Sequence, residues 1–159
     1  MPIRKTRFFP PPDYVEKDGK FLPVESTPSR ETDSYWLFAI RKQGKYPRPT
    51  ERNGKWLIFV PVRRIDAVWE KVKKSTEAGS LGEEAKVSTA KRNPNAVNPA
   101  MKVICVYTYD WQNKEDVMRI RAELRTLGIT WKIPYKSDED TDQGKYRAAG
   151  HTRISKYYE

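Results

Sequence analysis

The sequence contains a single cysteine and a single histidine among its 159 residues. One cysteine cannot form a disulfide within the chain, so we expect a protein of a reducing compartment, the cytoplasm. Structural zinc sites usually take four Cys or His ligands, and the pair Cys105 and His151 is too few for one. The sequence therefore predicts no metal, and we expect no cofactor.

Long apolar segments and familiar catalytic motifs are also lacking. No stretch approaches the roughly 20 apolar residues of a membrane-spanning helix, and the N-terminus, MPIRKTRFFPPP, has no continuous apolar segment of the kind found in signal peptides. We therefore expect no membrane partner. There is no P-loop, GxGxxG, GxSxG or HExxH motif. A histidine-dependent enzyme would have to use His151, which lies in a polar segment near the C-terminus.

The chain is rich in positive charge. It has 31 Lys and Arg residues against 21 Asp and Glu residues, for a net charge of +10. A positive surface attracts phosphate-bearing partners such as nucleic acid, nucleotides or phosphoproteins. The same excess is typical of basic proteins without such a partner and of charge-rich thermophile proteins, so both interpretations stay open.

Hydrophobic periodicity predicts the fold class. Residues 101–109, MKVICVYTY, form the most apolar and β-branched run and predict a central strand, with Cys105 and Val106 on opposite faces. Residues 1–33 contain many prolines and predict an extended arm, whereas residues 34–159 predict one α+β domain with a basic C-terminal tail. Further strands are predicted at 34–42, 55–62, 84–88 and 129–135, and helices at 66–78 and between 113 and 128. We expect a mainly antiparallel sheet with helices on one face.

Two local signals refine this prediction. The pair Asn53-Gly54 favours a tight hairpin turn that joins the first two strands of the domain. The second helix has an apolar stripe made of Val117, Ile120, Leu124 and Leu127. Its arginines at positions 119, 121 and 125 lie off that stripe, and we expect them to be exposed.

Basic side chains at strand positions are the best candidates for a site. Lys86 alternates with apolar residues in EAKVS, so it either lines a pocket or extends outward from an edge. Lys136 follows a predicted strand directly. Lys145 and Arg147 come after Gly144, whose backbone allows an anion to approach closely. Each of these side chains is open to a second interpretation as an ordinary solvated cation.

Two loop residues extend the candidate phosphate or nucleic-acid site. Arg92 lies in the polar loop 89–100, and Tyr46 is an aromatic residue in the basic loop 43–54. Proteins that bind single-stranded nucleic acid combine basic side chains with aromatic rings on which bases stack.

Several stretches, GKWLIFVPVRRIDAVWEKV, GSLGEEAKVST, VICVYTYDW and PYKSDEDT, resemble the basophilic leukaemia-expressed protein family. This is a domain of unknown function whose members are also labelled phosphothreonine lyase domain proteins. The resemblance extends from Tyr35 to Tyr158. It implies the fold of the cap-binding translation initiation factor 4E, a curved antiparallel sheet backed by helices. Cap-binding factors clamp the methylated base between two tryptophans on two loops. The corresponding loops here offer only Tyr46, so cap recognition is not expected.

The lyase label implies a set of roles for individual residues. Lys86 in KVST is similar to the lysine base of bacterial effector phosphothreonine lyases, and Lys136 in YKSD and Lys145 in GKYR are similar to their phosphate-holding residues. The histidine that serves these lyases as general acid is replaced here by Leu57. His151 could take its place only if the tail folded back.

The sequence favours a domain that binds a phosphate-bearing ligand, with single-stranded nucleic acid or a nucleotide as the first choice. The first alternative is a lyase that acts on phosphothreonine by β-elimination with Lys86 as base. The second is a protein-interaction module that uses an exposed helix face and the proline-rich arm. We lean toward a protein that is not an enzyme.

Overall fold

The structure is a computed structural model, and it describes residues 14–17, 20–23, 26–93, 98–139 and 155–159. These residues contain strands, two helices and the loops between them. In chain order the elements are β1 (Tyr14–Lys17), β2 (Lys20–Pro23), β3 (Trp36–Ile40), β4 (Gly54–Pro61), α1 (Val62–Glu77), β5 (Glu84–Ser88), β6 (Met101–Thr108), α2 (Lys114–Thr126), β7 (Pro134–Ser137) and β8 (Tyr157–Tyr158).

The main sheet has six antiparallel strands in the order β3-β5-β6-β4-β7-β8. Strand β6 lies inside the sheet between β5 and β4, which confirms the prediction made from its apolar sequence. Both helices pack on one face. The predicted α+β class, with a mainly antiparallel sheet backed by helices, is therefore confirmed. Strands β1 and β2 form a separate two-stranded sheet within the segment expected to be an extended arm.

The hairpin predicted at Asn53-Gly54 is wrong, because β3 and β4 are not neighbours and two other strands lie between them. Gly54 is instead the first residue of β4, between Thr108 of β6 and Ser137 of β7. A Cβ atom added at Gly54 would lie 2.6 Å from the hydroxyl oxygen of Tyr135. Glycine is therefore required here by close packing rather than by a turn.

The two helices end where glycine permits the left-handed conformation. Gly79 follows α1 with a φ of 84°, and Gly128 follows α2 with a φ of 97°. At the start of α2, the side chain of Asn113 accepts a hydrogen bond from the backbone N–H of Asp116 at 3.2 Å, as the sequence predicts for a cap. Helix α1 begins at Val62, four residues before the predicted start.

The core lies between the helices and the sheet. Trp56 of β4 is fully buried, and its indole N–H donates to the carbonyl of Val117 in α2 at 3.1 Å. This bond joins sheet and helix at the centre of the core. The predicted apolar stripe of α2 is confirmed for the residues that are fully buried, which are Val117, Ile120 and Leu124.

Arg121 of α2 contradicts the prediction that it is exposed, because it is fully buried. Its guanidinium donates to the carbonyls of Ile129 at 2.9 Å and Trp131 at 2.7 Å, and its Nε donates to Glu159 at 3.1 Å. The carbonyls of Ile129 and Trp131 belong to the segment 129–135, for which the sequence predicts a strand. Within that segment only Pro134 and Tyr135 lie in a strand, β7, which continues to Ser137. Lys136 therefore lies inside this strand, whereas the sequence predicts that it follows one.

Candidate functional site

The sheet face opposite the helices carries three lysines, and we call it the lysine face. It is formed by the strand residues that alternate with the core residues, since successive side chains point to opposite faces. Its lysines are Lys86 of β5, Lys55 of β4 and Lys136 of β7, and its aromatic residues include Trp36 of β3 and Tyr107 of β6.

Lys86 lies against the aromatic residues of this face. Its Nζ is 3.9 Å from the centroid of the Trp36 ring and 5.9 Å from that of Tyr107. No hydrogen bond or ion pair joins Lys86 to another residue in the described part of the chain. Burial lowers the pKa of Lys86 below its ordinary value of 10.5, and the positive charge of Lys55 acts in the same direction. The amine is therefore easier to deprotonate than that of an exposed lysine.

Lys55 is held by a carboxylate. Its Nζ lies 2.9 Å from Oδ1 of Asp138, and the side chains of both residues are largely buried. The amide of Asn53 donates to the other oxygen of Asp138 at 3.0 Å, and the Asp138 N–H donates to the carbonyl of Asn53 at 2.9 Å. Nζ of Lys55 also lies 5.7 Å from the centroid of the Tyr107 ring. The position of Lys55 is thus fixed from several sides.

Lys136 and Cys105 complete the centre of the lysine face. Lys136 pairs directly with Lys55 across β7 and β4, and Cys105 pairs with Lys86 across β6 and β5. Burial raises the pKa of the Cys105 thiol, while nearby Lys86 lowers it less. Cys105 therefore stays protonated near neutral pH.

Tyr46, predicted as a stacking aromatic, is half-buried beside the end of β6. Its hydroxyl donates to the carboxylate of Asp116 at 2.5 Å, and its ring meets that of Tyr109 edge to face at 5.4 Å. Burial and the charge of Asp116 raise the pKa of Tyr46 well above its usual value. The residue lines a small pocket together with Glu84 and Tyr107, at the edge of the lysine face. Its role in stacking stays a prediction.

Arg92 lies at the other end of the sheet from Tyr46. It is exposed and follows Lys91, whose Nζ lies 4.3 Å from the centroid of the Tyr35 ring. The eight residues of β6 separate the two ends by about 25 Å. The structure therefore does not bring Arg92 and Tyr46 together. The remaining predicted residues, Lys145, Arg147 and His151, lie outside the described residues.

Two positions of the predicted lyase set, Lys86 and Leu57, lie in one row of the lysine face, whereas Lys136 lies in the row of Lys55. Lys86 pairs with Cys105, and Cys105 pairs with Leu57 of β4. The position where the resemblance implies a histidine is thus on the same face as the proposed base, about 10 Å away across two strands. The aliphatic side chain of Leu57 has no acidic proton and cannot serve as a general acid.

The sequence interpretation overlooked Lys55, Trp36 and Tyr107 as site residues. The available signal was the alternation of side chains along β4. Lys55 lies two positions before Leu57 and four before Phe59, both of which lie outside the core, so the three share a face. What sequence could not show was that β5, β6, β4 and β7 lie side by side, because strand order depends on contacts between distant residues.

The fold places the domain in a known structural class. It matches eIF4E from a schistosome, solved with m7GpppA and 4E-BP, with a TM-score of 0.52 and 17% identity over 69% of this chain and 60% of that one. It also matches eIF4E-3 from C. elegans, solved with the 4E-binding protein Mextli and a cap analog, with a TM-score of 0.50 and 17% identity over 68% of this chain and 57% of that one. The chain thus spans about three fifths of the length of these proteins, and the similarity shows an initiation factor 4E-like α+β fold.

The family is shown by the sequence itself. The model of the family described as basophilic leukemia-expressed protein Bles03 matches residues 49–142, which is more than half of the chain. The chain belongs to this family. In the described residues, no helix is long and apolar enough to cross a membrane.

Proposed function

We propose that the lysine face binds a phosphate-bearing ligand, and that this ligand is a single-stranded nucleic acid or a nucleotide. The observation that supports the proposal is the placement of Lys86, Lys55 and Lys136 on one face together with the rings of Trp36 and Tyr107. Ammonium groups bind phosphate by charge-assisted hydrogen bonds, and aromatic rings stack on bases.

The electrostatics of Lys86 favour an anionic ligand. No carboxylate forms an ion pair with its desolvated ammonium in the described part of the chain, whereas Lys55 pairs directly with Asp138. Glu84 and Asp138 favour the charged form of Lys86 only from a distance. A phosphate beside Lys86 would stabilise its charged form, since an opposite charge nearby favours ionisation. The net charge of +10 adds a long-range attraction for polyanions. The similarity to eIF4E structures that contain cap nucleotides is consistent with a nucleotide on this fold.

The test is equilibrium binding of a fluorescent single-stranded oligonucleotide and of a fluorescent nucleotide at several salt concentrations. We expect affinity to fall steeply with salt, because lysine contacts to phosphates release counterions. Lys136→Ala, Lys145→Ala and Lys86→Ala should each weaken binding about tenfold or more, the usual effect of losing a hydrogen bond to a charged group. Lys73→Ala on α1 is the control and should change affinity less than about twofold.

Two results would contradict the proposal. If the four variants behave alike, the attraction is diffuse and the lysine face is not a site. If neither ligand binds even at low salt, the nucleic-acid interpretation fails and a protein-interaction module becomes the better explanation.

A second candidate, a phosphothreonine lyase, is favoured by the surroundings of Lys86, which lies 3.9 Å from the centroid of the Trp36 ring and whose pKa is lowered by burial. A neutral lysine can remove the Cα proton of phosphothreonine; the Cβ–O bond then breaks, and phosphate leaves as a double bond forms between Cα and Cβ. We expect weak or no activity, because Leu57 stands where a general acid is needed and its loss costs about 10²–10⁴ in rate.

Mass spectrometry of a phosphothreonine peptide incubated with the protein decides between these functions, since elimination removes phosphoric acid. Elimination abolished in Lys86→Ala and retained in His151→Ala would make the protein an enzyme with Lys86 as its base. Elimination lost in both variants would assign the role of general acid to His151. No elimination in the wild type leaves the binding function as the conclusion.

A further inference from the structure

The amine of Lys86 differs from those of the exposed lysines in its surroundings. It lies in contact with the Trp36 ring at 3.9 Å, and its neighbours across β6 are Cys105 and Tyr107. It makes no hydrogen bond or ion pair within the described residues. Burial lowers the pKa of this amine, and the charge of nearby Lys55 acts in the same direction. The neutral, nucleophilic form of Lys86 is therefore easier to reach than that of an exposed lysine.

Groups that can hold phosphate lie beside this amine. Lys55 is two strands from Lys86, about 10 Å between backbones, and Lys136 pairs with Lys55 on the next strand. The ammonium groups of Lys55 and Lys86 lie 5.7 Å and 5.9 Å from the centroid of the same ring, that of Tyr107. A phosphate a few bonds away from an atom in contact with Lys86 would therefore lie near the charge of Lys55, which is held in place by Asp138. The face thus combines a nucleophile with a place for an anion.

We propose that Lys86 is a carbonyl-reactive amine that forms an imine with an aldehyde carrying a phosphate group. This inference rests on the proposed function, because Lys55 and Lys136 hold the phosphate. The lone pair of Nζ attacks the carbonyl carbon and a C–N bond forms. The carbonyl oxygen then leaves as water with the two hydrogens of the amine, and a C=N bond remains. No electron donor or acceptor is required.

Two sources supply an aldehyde of this chemistry. One is a small phosphorylated aldehyde. The other is the open-chain sugar of an abasic site in single-stranded DNA, which has phosphates on both sides and would place a neighbouring base near the ring of Trp36. The second source follows directly from the binding of single-stranded nucleic acid, and the experiment separates the two.

The experiment uses the full chain and three probes, each with borohydride to reduce the imine to a stable amine. The probes are pyridoxal phosphate, pyridoxal without its phosphate, and a single-stranded oligonucleotide with one abasic site. The modified residue is identified by peptide mass spectrometry. Lys86→Arg keeps the charge but removes the nucleophile. Lys102→Arg is the matched control. Lys102 also lies in the sheet, on β6, but it is on the face opposite that of Cys105 and Lys86.

We expect the adduct at Lys86 in the wild type, at least about tenfold less total adduct in Lys86→Arg, and no change in Lys102→Arg. The preference for Lys86 over the other lysines should be at least about tenfold stronger with pyridoxal phosphate than with pyridoxal, because the phosphate contributes binding at the lysine face. Comparing sites within one protein removes the difference in free aldehyde between the two probes. Reaction with the oligonucleotide alone identifies an abasic site as the source, and reaction with pyridoxal phosphate alone identifies a small aldehyde. Mapping in the wild type does not depend on how well the variants fold.

An adduct spread over surface lysines, or equal in Lys86→Arg and wild type, overturns the inference, as does the absence of any adduct. Binding of an intact oligonucleotide without an aldehyde is measured on the same protein. If that binding persists without an adduct, only the imine is wrong. If both are absent, the proposed function fails as well.

Discussion

The ammonium of Lys86 lies 3.9 Å from the centre of the Trp36 ring, on the sheet face that the helices leave uncovered. The two residues come from β5 and the edge strand β3, and they are not direct partners in the register. A cation over an indole ring gains about 0.5–2 kcal/mol, and more as water is removed. Burial has the opposite effect, because it disfavours the charged form and lowers the pKa of Lys86. The ring and the loss of water therefore act on the ammonium in opposite directions.

The first prediction concerns the alkaline pH dependence of stability. The pKa of Lys86 is below 10.5 in the folded protein and close to 10.5 in the unfolded chain. At pH values between these two pKa values the unfolded chain binds more protons, so stability rises with pH. We expect the free energy of unfolding of the wild type, relative to Lys86→Met, to rise through this window and level off near 10.5. Urea unfolding at a series of pH values measures it.

The groups that act on Lys86 in this window are Cys105, Lys55, Glu84 and Asp138. All are retained in Lys86→Met, so the difference between the two proteins reports chiefly on Lys86. A difference that does not vary between neutral pH and the ordinary lysine value would show that Lys86 is solvated.

The second prediction concerns acid stability. Arg52 binds Asp110 through two hydrogen bonds, of 2.6 Å and 3.0 Å, and lowers the pKa of Asp110 below its ordinary value of 3.8. The pair therefore contributes to the free energy of unfolding above pH 3.8, and this contribution is lost as the pH falls through the lower pKa that Asp110 has in the folded protein. Unfolding curves in the acid range should show a smaller loss in Arg52→Ala than in the wild type.

A surface ion pair provides the control for Arg52→Ala. Lys74 lies 3.5 Å from Glu70 on the exposed side of α1, where such pairs contribute little. Lys74→Ala should leave the acid dependence unchanged. If Arg52→Ala behaves in the same way, the Arg52–Asp110 pair does not contribute to stability.

The third prediction tests the buried arginine. Arg121→Met should lower the free energy of unfolding by about 3 kcal/mol or more, because the carbonyls of Ile129, Trp131 and Glu159 lose their donor. Arg125→Met, on the exposed side of the same helix, should change it by less than about 0.5 kcal/mol. Denaturant unfolding compares the two. Equal small effects would mean that water replaces the guanidinium without cost.

The fourth prediction tests the stripe that packs α2 on the sheet. Leu124 is fully buried, so Leu124→Ala should cost about 2–5 kcal/mol, the range for a buried leucine. Thermal or denaturant unfolding of the purified variant measures this cost. A value below about 0.5 kcal/mol would contradict the assignment of Leu124 to the core.

Part of the candidate site could be predicted from the sequence, because it depends on the alternation of side chains between the two faces of a strand. Lys86 lies between Ala85 and Val87, and both apolar neighbours are fully buried on the helix side, so Lys86 faces the other way. The same reasoning did not find Lys55, because only the pairing of β4 with β6 and β7 gives that lysine its neighbours. Arg121 was misassigned because a helical wheel does not show the carbonyls that follow the helix.

The sequence by itself determined which residues share a face of each strand or helix, and hence the α+β class and the apolar stripe of α2. These are local properties, because the repeats of 2.0 and 3.6 residues come from backbone geometry alone. Only the tertiary structure decided that β5, β6, β4 and β7 lie side by side, that Arg121 is buried, and that Lys86, Lys55 and Lys136 share one face. Strand order depends on packing between residues far apart in the chain, which no local pattern specifies.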